Sequence, residues 1–263
     1  MFRTKVQILF KEEVVRGIFV MKLYSEQIAL EAKPGQFAHI KCGDDQSFIL
    51  RRPFSIHRLL GRGAFEILFE VRGKGTAFLS QEPLRAQLDV IGPLGHGFAV
   101  KEGLKKAVLV AGGLGIAPLM FLAEDFARRQ VKTYVLLGAA TKERLLYLID
   151  LKRMTRKVFA ATEDGSFGHK GVVTDLLPRA LAEAQAEQVF ACGPPKMLKR
   201  VAEVCEDEKV DCQVSVERRM ACGIGACLSC VCGIRLDGET DYKRACVEGP
   251  VFNAKDVVWE EFI

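Results

Sequence analysis

Of nine cysteines in 263 residues, four (Cys222, Cys227, Cys230 and Cys232) fall within eleven positions, and Cys246 follows soon after. Such crowding needs something other than a hydrophobic core to hold it. The start of the chain, MFRTKVQILFKEE, offers only a short apolar run before Lys11, Glu12 and Glu13, which predicts no signal peptide and a cytoplasmic protein. In that setting an odd, locally crowded cysteine set points to metal rather than to a disulfide framework.

Cys222-x4-Cys227-x2-Cys230 has the plant-type [2Fe–2S] spacing, with three thiolates on one glycine-rich loop and a fourth ligand from elsewhere. Gly223 and Gly225 suit tight turns close to the sulfides. The interval before Cys246 is shorter than in the plant-type pattern. A tetrathiolate zinc site is the rival, although zinc ribbons usually present two Cys-x2-Cys pairs. Cys232, Cys42, Cys205 and Cys212 read as small buried apolar side chains.

With 49% hydrophobic and 27% charged residues, the chain can bury a core and make two domains of ordinary size. A net charge of +5, spread along the chain, does not favour nucleic acid as a partner. The longest uncharged stretch, Ala107 to Ala123, contains Gly112, Gly113, Gly115 and Pro118 and falls short of the ~20 residues of a spanning helix, so no membrane is expected.

Up to about residue 100, short alternating runs (VQILF, GIFVMKLY, QFAHIKC, PFSIH, AFEILFEV, LDVIG) broken by Gly, Asp and Pro predict a small antiparallel β-barrel. From Lys105 apolar strand candidates alternate with helical stretches, which predicts βαβ units and a Rossmann-like parallel sheet. The joint is placed in KEGLKK, Lys101 to Lys106. A further strand candidate, CQVSVE, precedes the cysteine segment. The expected division is 1–100 barrel, 101–210 nucleotide domain and 211–263 small irregular or β cluster domain.

AVLVAGGLGIAPL runs a buried strand into Gly112, Gly113 and Gly115 and then into a helix with Pro118 in its first turn, exposing backbone N–H groups to a phosphate. It is not the G-x-G-x-x-G fingerprint, and alone it equally suits a tight βα turn. Cys192-Gly193-Pro194-Pro195 ends another strand, and ligands of open α/β sheets bind outside such ends, so the two turns together favour a nucleotide. Glu163 and Asp164 follow a third strand and suit ribose hydroxyls; no adjoining cation favours a 2′-phosphate, so NAD is preferred over NADP. In the barrel, Arg51-Arg52-Pro53-Phe54-Ser55 and Arg72-Gly73-Lys74-Gly75-Thr76 suit a pyrophosphate, with Phe54 as cover for a flat ring, and each equally suits a solvated turn. The four histidines are dispersed and no serine sits in a G-x-S-x-G elbow, so hydrolysis and catalytic zinc have no support.

The order RRPFS, GKGT, IGPLG, GGLGIAPL, CGPP over about residues 5 to 205 resembles the ferredoxin reductase superfamily. With VERRMACGIGACLSCVC and the later CVEGPVF, the whole chain resembles the family of electron-transfer subunits of type B dihydroorotate dehydrogenase, iron–sulfur flavoproteins of pyrimidine synthesis. The resemblance implies that Arg52, Pro53, Phe54 and Ser55 line FAD. Leu68, Phe69 and Glu70 would pass beside it, and Gly75 and Thr76 would hold its phosphates. Phe54 stands where many superfamily members have tyrosine, and Glu70 where a basic or neutral residue is expected. Gly112, Gly113, Gly115, Pro118, Cys192, Gly193 and Pro194 would hold NAD, and Cys222, Cys227, Cys230 and Cys246 the [2Fe–2S] cluster.

No catalytic side chain is implied, because the cofactors carry the chemistry: a hydride brings two electrons, a cluster exchanges one, and flavin converts between them. The implied partner is an FMN-containing dihydroorotate dehydrogenase catalytic subunit, in a heterotetramer of two plus two chains. The apolar residues around the cysteine loop and the tail VFNAKDVVWEEFI, including Trp259, are expected to form part of the surface that docks that partner. Two alternatives stand beside this reading. One is a NAD(P)H-dependent reductase of the same kind serving a hydrogenase or a sulfide- or ferredoxin-linked oxidoreductase. The other is a zinc-bearing nucleotide-binding protein without turnover.

Overall fold

The computed structural model describes residues 1–43 and 49–262, and its chain contacts fall into two units. Unit one comprises Met1–Gly97, Glu217–Val231 and Lys243–Pro250; unit two comprises Phe98–Val216, Cys232–Tyr242 and Val251–Ile263.

In unit one, β1 (Phe2–Val15), β2 (Ile18–Tyr24), β3 (Phe37–Ile40), β4 (Arg52–Leu60), β5 (Ala64–Glu70) and β6 (Gln87–Leu94) close an antiparallel barrel in the order β1-β2-β5-β4-β3-β6. Closure leaves neither end strand with an open ladder. The alternating runs supply the interior: Ile8, Met21, Leu23, Ile56, Phe65 and Ile67 are fully buried. Two short helices interrupt the meander, α1 (Glu26–Glu31), capped by Ser25 Oγ accepting from Ile28 N, and α2 (Lys74–Gln81). The sequence predicts a turn at RGKGT, but Thr76 makes it a helix start. Its Oγ accepts from the main-chain N–H groups of Arg72 and of the N-cap residue Gly73, folding the entry to the helix back onto its first turn.

The barrel is locked by one carboxylate. Asp89 on β6 takes Arg3 of β1 at 2.9 Å and Arg51 at 2.7 Å, and its own carbonyl accepts from Arg51 at 2.6 Å. Hydrogen bonding from Arg3, and then from Arg51, outweighs burial and holds the Asp89 carboxyl at about 2. A depressed folded pKa contributes stability that is fully present above the unfolded value near 4 and is lost as pH falls toward 2. After discounting the exposed Arg3, that is on the order of 1–2 kcal/mol. Asp89→Asn is therefore expected to lower urea-unfolding stability at pH 7, with the gap to the parent closing as pH drops below about 4. A gap unchanged down to pH 2.5 would remove the ionic explanation.

In unit two, β7 (Lys106–Gly112), β8 (Lys132–Ala139), β9 (Lys157–Thr162), β10 (His169–Lys170), β11 (Gln188–Cys192) and β12 (Asp211–Ser215) pair in parallel. The hairpin β13 (Val231–Leu236) and β14 (Glu239–Arg244) forms a separate two-stranded sheet. β15 (Val251–Asn253) adds antiparallel to β12, giving the order β10-β9-β8-β7-β11-β12-β15. Helices α3 (Ile116–Arg128), α4 (Leu148–Met154), α5 (Leu177–Ala184) and α6 (Pro195–Asp207) alternate with the strands. The middle of β7 and all of β11 are buried, as expected for strands covered on both faces. CQVSVE becomes β12 within this sheet. The hairpin was not anticipated, although its Asp237-Gly238, both at positive φ (52° and 87°), is a strong two-residue turn signal.

The apolar residues of the tail are largely packed, while Asn253, Lys255, Glu260 and Glu261 are exposed. Val251, Ala254, Val257 and Trp259 are buried, and the Trp259 indole N–H donates to the Ala254 carbonyl at 3.2 Å. Trp259 therefore does not present a docking surface; its indole is spent on unit two's own core. Ile263 lies outside the described residues. No helix among the described residues is long and apolar enough to cross a membrane.

Candidate functional site

The segment after β12 leaves regular structure, and its cysteines gather as two sulfur pairs within unit one. Cys222 and Cys227 interact through their side chains, as do Cys230 and Cys246. The second pair is closed by the Ala245 N–H, which donates to the Cys230 carbonyl at 2.9 Å. Among the described residues no three His, Cys, Asp or Glu groups converge on a single-ion position. Two pairs of thiols are the donor set that two bridged irons ask for.

Electrostatics support the same fit. Burial alone would raise the Cys222 thiol, but the Ile224 N–H, the Cys227 thiol and the Cys227 and Ala226 N–H groups bring it down to about 6. A loop of converging N–H groups is a nest for sulfur anions. Cys230 and Cys246 are each 2% exposed, and desolvation, then proximity to Cys230, pushes Cys246 up to about 12. A buried thiol pair of this kind ionises only when a cation accompanies it, which is what metal binding supplies. Cys232 is fully buried on β13, as its apolar reading expects.

Three devices fix this loop within unit one. Arg244 donates to the Gly225 carbonyl at 3.1 Å while its guanidinium is held by Glu248, whose carboxyl is drawn down to about 2 by that hydrogen bonding. His96, at the end of the IGPLG run, binds the Gly249 carbonyl through its N–H at 2.6 Å and meets the Val247 carbonyl with Nδ1 at 2.5 Å. The third is His39 of β3, against which Gly223 lies so closely that an added Cβ would stand 2.3 Å from Nδ1. Sequence reasoning passed over all three, because each is recognised only by what lies opposite it.

In unit two the strand order reverses between β7 and β11, the topological switch point where open α/β sheets bind ligands. The two glycine turns expected at strand ends meet there. A Cβ on Gly115 would stand 2.0 Å from the Cys192 carbonyl oxygen, and one on Gly193 3.1 Å from Gly112. Pro194 and Met197 close over Gly112. Gly113 lies in the 3-10 turn that runs into α3, and Pro118 is buried in its first turns. The loop after β9 places Glu163 at the surface, while Asp164 accepts from Ser166 N–H and Oγ at 2.9 and 2.6 Å. Ser166 Oγ in turn accepts from the Lys142 main-chain N–H, and the Lys170 side chain packs on Gly165, so one cation absent beside the loop in sequence comes to it in space.

The barrel residues also gather. A Cβ on Gly75 would touch Arg52 Nε at 3.4 Å, joining RRPFS to GKGT. Arg52 donates to the Leu50 and Arg51 carbonyls at 2.7 and 3.1 Å. Pro53 and Ser55 are half-buried, whereas Phe54 turns inward and meets Phe69 edge-on at 5.6 Å. Leu68 and Phe69 are buried, and Glu70, where a basic or neutral residue is expected, pairs with Arg72 at 2.6 Å.

The iron–sulfur cluster binding domain of dihydroorotate dehydrogenase B matches residues 217–258, and the oxidoreductase NAD-binding domain matches residues 109–203. The chain is 40% identical to a dihydroorotate dehydrogenase B (NAD+) electron transfer subunit from Desulforamulus reducens, over 94% of this chain and 95% of that one. It is 37% identical to the subunit of the same name from Fusobacterium nucleatum, over 93% and 94%. Among solved structures, an NADH-dependent reduced ferredoxin–NADP oxidoreductase, studied for flavin-based electron bifurcation, aligns with a TM-score of 0.87 at 30% identity, covering 98% of this chain and 91% of its own. A ferredoxin–NADP+ reductase from Neisseria gonorrhoeae shares the fold at a TM-score of 0.66 and 18% identity, over 78% and 91%.

Proposed function

The chain belongs to the family of dihydroorotate dehydrogenase B (NAD+) electron transfer subunits, and on that premise we propose that it carries electrons between an FMN-containing catalytic partner and NAD in pyrimidine synthesis. The carrying observation is the pair of thiol pairs, Cys222/Cys227 and Cys230/Cys246, on one fixed loop. These four cysteines hold a [2Fe–2S] cluster. The working division is by cofactor: 1–100 for FAD, 101–210 for NAD and 211–263 for the cluster. The assembly is two catalytic and two electron-transfer chains.

Each residue set has a physical task. Arg52, Gly75 and Thr76 neutralise and cradle the FAD pyrophosphate, while Pro53, Phe54, Ser55, Leu68, Phe69 and Glu70 line the ring. Gly112, Gly113, Gly115 and Pro118 present backbone N–H groups and a helix N-terminus to the NAD phosphates, and Cys192, Gly193 and Pro194 wall the opposite side. Glu163 orients ribose hydroxyls. FAD, when bound, supplies the conversion between two-electron nicotinamide and one-electron iron–sulfur chemistry. The chain's own contribution is position and exclusion of water, with no side-chain acid or base required.

An anaerobic titration of the purified chain with NADH, followed by visible absorbance, tests this directly. Bleaching of flavin and broad iron–sulfur bands is expected, and dihydroorotate is expected to produce the same bleaching only when the catalytic subunit is added. A chain that bleaches with NADH yet never with dihydroorotate and that subunit serves another acceptor. This second reading, a reductase of the same build with a different partner, is favoured by the 30% identity to the ferredoxin–NADP oxidoreductase. A colourless protein after cofactor reconstitution would overturn both.

A further inference from the structure

The loop from Cys222 to Cys227 is exposed at Ile224, Ala226 and Cys227 but buried at Gly225. A buried carbonyl needs a donor, and that of Gly225 finds one in Arg244 Nη1 at 3.1 Å. Glycine is required there twice over: φ is 87°, and an added Cβ would stand 2.7 Å from Val247 Cγ2 and 3.1 Å from Arg244 Nη1.

Arg244 is itself fixed. Its Nε donates to both carboxylate oxygens of Glu248 at 3.1 Å, its Nη2 donates to one of them, and its main-chain N–H donates to Oε2 at 2.7 Å. The Arg244 carbonyl accepts from the N–H groups of Val247, Glu248 and Gly249 at 3.1, 2.9 and 3.2 Å, closing a turn around Cys246. The guanidinium therefore reaches from the turn that carries Cys246 to the loop that carries Cys222 and Cys227.

A trans peptide holds its C=O and its N–H on opposite sides of one plane, and the Gly225–Ala226 peptide is trans. With the Gly225 carbonyl turned to Arg244, the Ala226 N–H is turned the other way. There it donates to the Cys222 sulfur, which the N–H groups of Ile224, at 3.5 Å, and of Cys227 also reach. The preceding N–H, that of Gly225, donates to Cys246.

We propose that the Arg244–Glu248 pair is a positioning device for the cluster: by holding the Gly225 carbonyl it aims the Ala226 N–H at the Cys222 sulfur, which slows the loss of iron and raises the cluster's reduction potential. This rests on the reading that the four cysteines hold a [2Fe–2S] cluster. A donor to sulfur stabilises the reduced, more negative cluster more than the oxidised one, and hydrogen bonds to sulfur are among the determinants of iron–sulfur potentials. Arginine and glutamate are opposite in charge, so the pair brings the turn an oriented donor and little net charge.

The test compares full-length holoprotein of the parent, Arg244→Leu, Arg244→Lys and Glu248→Ala. Iron and sulfide content, the rate of iron loss to a chelator and the midpoint potential of the cluster are measured for each. At equal iron content, Arg244→Leu is expected to lose iron at least about 10-fold faster, the scale for residues that orient a metal's ligands, and to move the potential to more negative values. Arg244→Lys keeps a donor and is expected to lie nearer the parent. Glu248→Ala separates aim from charge. Removal of a carboxylate would by charge alone make the potential more positive, whereas loosening the guanidinium makes it more negative and speeds iron loss. Unchanged iron loss and potential in Arg244→Leu, an Arg244→Lys no better than Arg244→Leu, or a positive shift in Glu248→Ala would overturn the proposal. If Arg244→Leu takes up no cluster, Glu248→Ala decides: a negative shift with faster iron loss supports the proposal, and any other result overturns it. A parent chain that binds no [2Fe–2S] iron would instead overturn the cysteine reading beneath it.

Discussion

Cys246→Ser is expected to yield a chain that folds both units and still reduces its flavin with NADH, yet holds almost no cluster iron and delivers no electrons to a partner. Cys246 alone of the four proposed ligands lies beyond the β13–β14 hairpin, and it pairs with Cys230 where both are 2% exposed. Serine there offers a hydroxyl that ionises far less readily than a thiol, so one iron loses its charge partner in a buried place. Altering residues that merely orient a metal's ligands costs 10–100-fold in affinity, and removing a ligand is expected to cost more than roughly 100-fold. The readouts are iron per chain, loss of the broad visible bands, and electron delivery to the catalytic subunit against direct NADH reduction of an artificial dye. Dye reduction should survive. Cys232→Ser is the comparison, since Cys232 is equally buried but stands outside both pairs, and it should retain iron. Full iron in Cys246→Ser would place the fourth ligand elsewhere.

Gly115→Ala is expected to cripple the nicotinamide side while leaving the cluster intact. Its added carbon would stand 2.0 Å from the Cys192 carbonyl oxygen and 2.4 Å from the carbonyl carbon, so the obstacle is backbone and no side chain can swing aside. The turn after β7 must then retreat from the turn after β11. Overpacking of this kind costs about 1–3 kcal/mol of stability, and an ångström of misplacement at a binding site costs about 100-fold in rate. The expected signature is a drop of that order in NADH-linked turnover with a normal iron content and a lowered melting temperature. Gly103→Ala provides the contrast: Gly103 is also a loop glycine of unit two, at φ 71°, but nothing lies within 4 Å of its added carbon. It should cost only local backbone strain and leave NADH kinetics unchanged. Equal kinetics for Gly115→Ala and Gly103→Ala would refute the role of the Gly115 contact.

What could be read along the chain was local or periodic. Alternation in GIFVMKLY marks a strand of a half-buried sheet, and the continuous apolar run of AVLVAG marks one buried on both faces; both are properties of a few consecutive residues. The cysteine spacing is likewise local, because three ligands on one loop must be close in sequence to wrap one cluster. RGKGT reads as a phosphate-binding or solvated basic turn. The Thr76 hydroxyl, accepting from the N–H groups of Arg72 and Gly73, tips it into α2. Trp259, expected with the rest of the tail to dock a partner, is instead buried within its own unit.

By itself, then, the sequence determined the order of barrel, parallel sheet and cysteine loop, the identity of the thiols and the position of each glycine turn, since each depends on periodicity or short spacing. Only the tertiary structure decided which of these meet. Barrel closure carries β3 beside the loop and sets His39 against Gly223, while strand order brings Gly115 to Cys192. Contacts of that span depend on register and packing summed over the whole sheet, and neither ring nor carbonyl leaves any trace of its partner in the residues beside it.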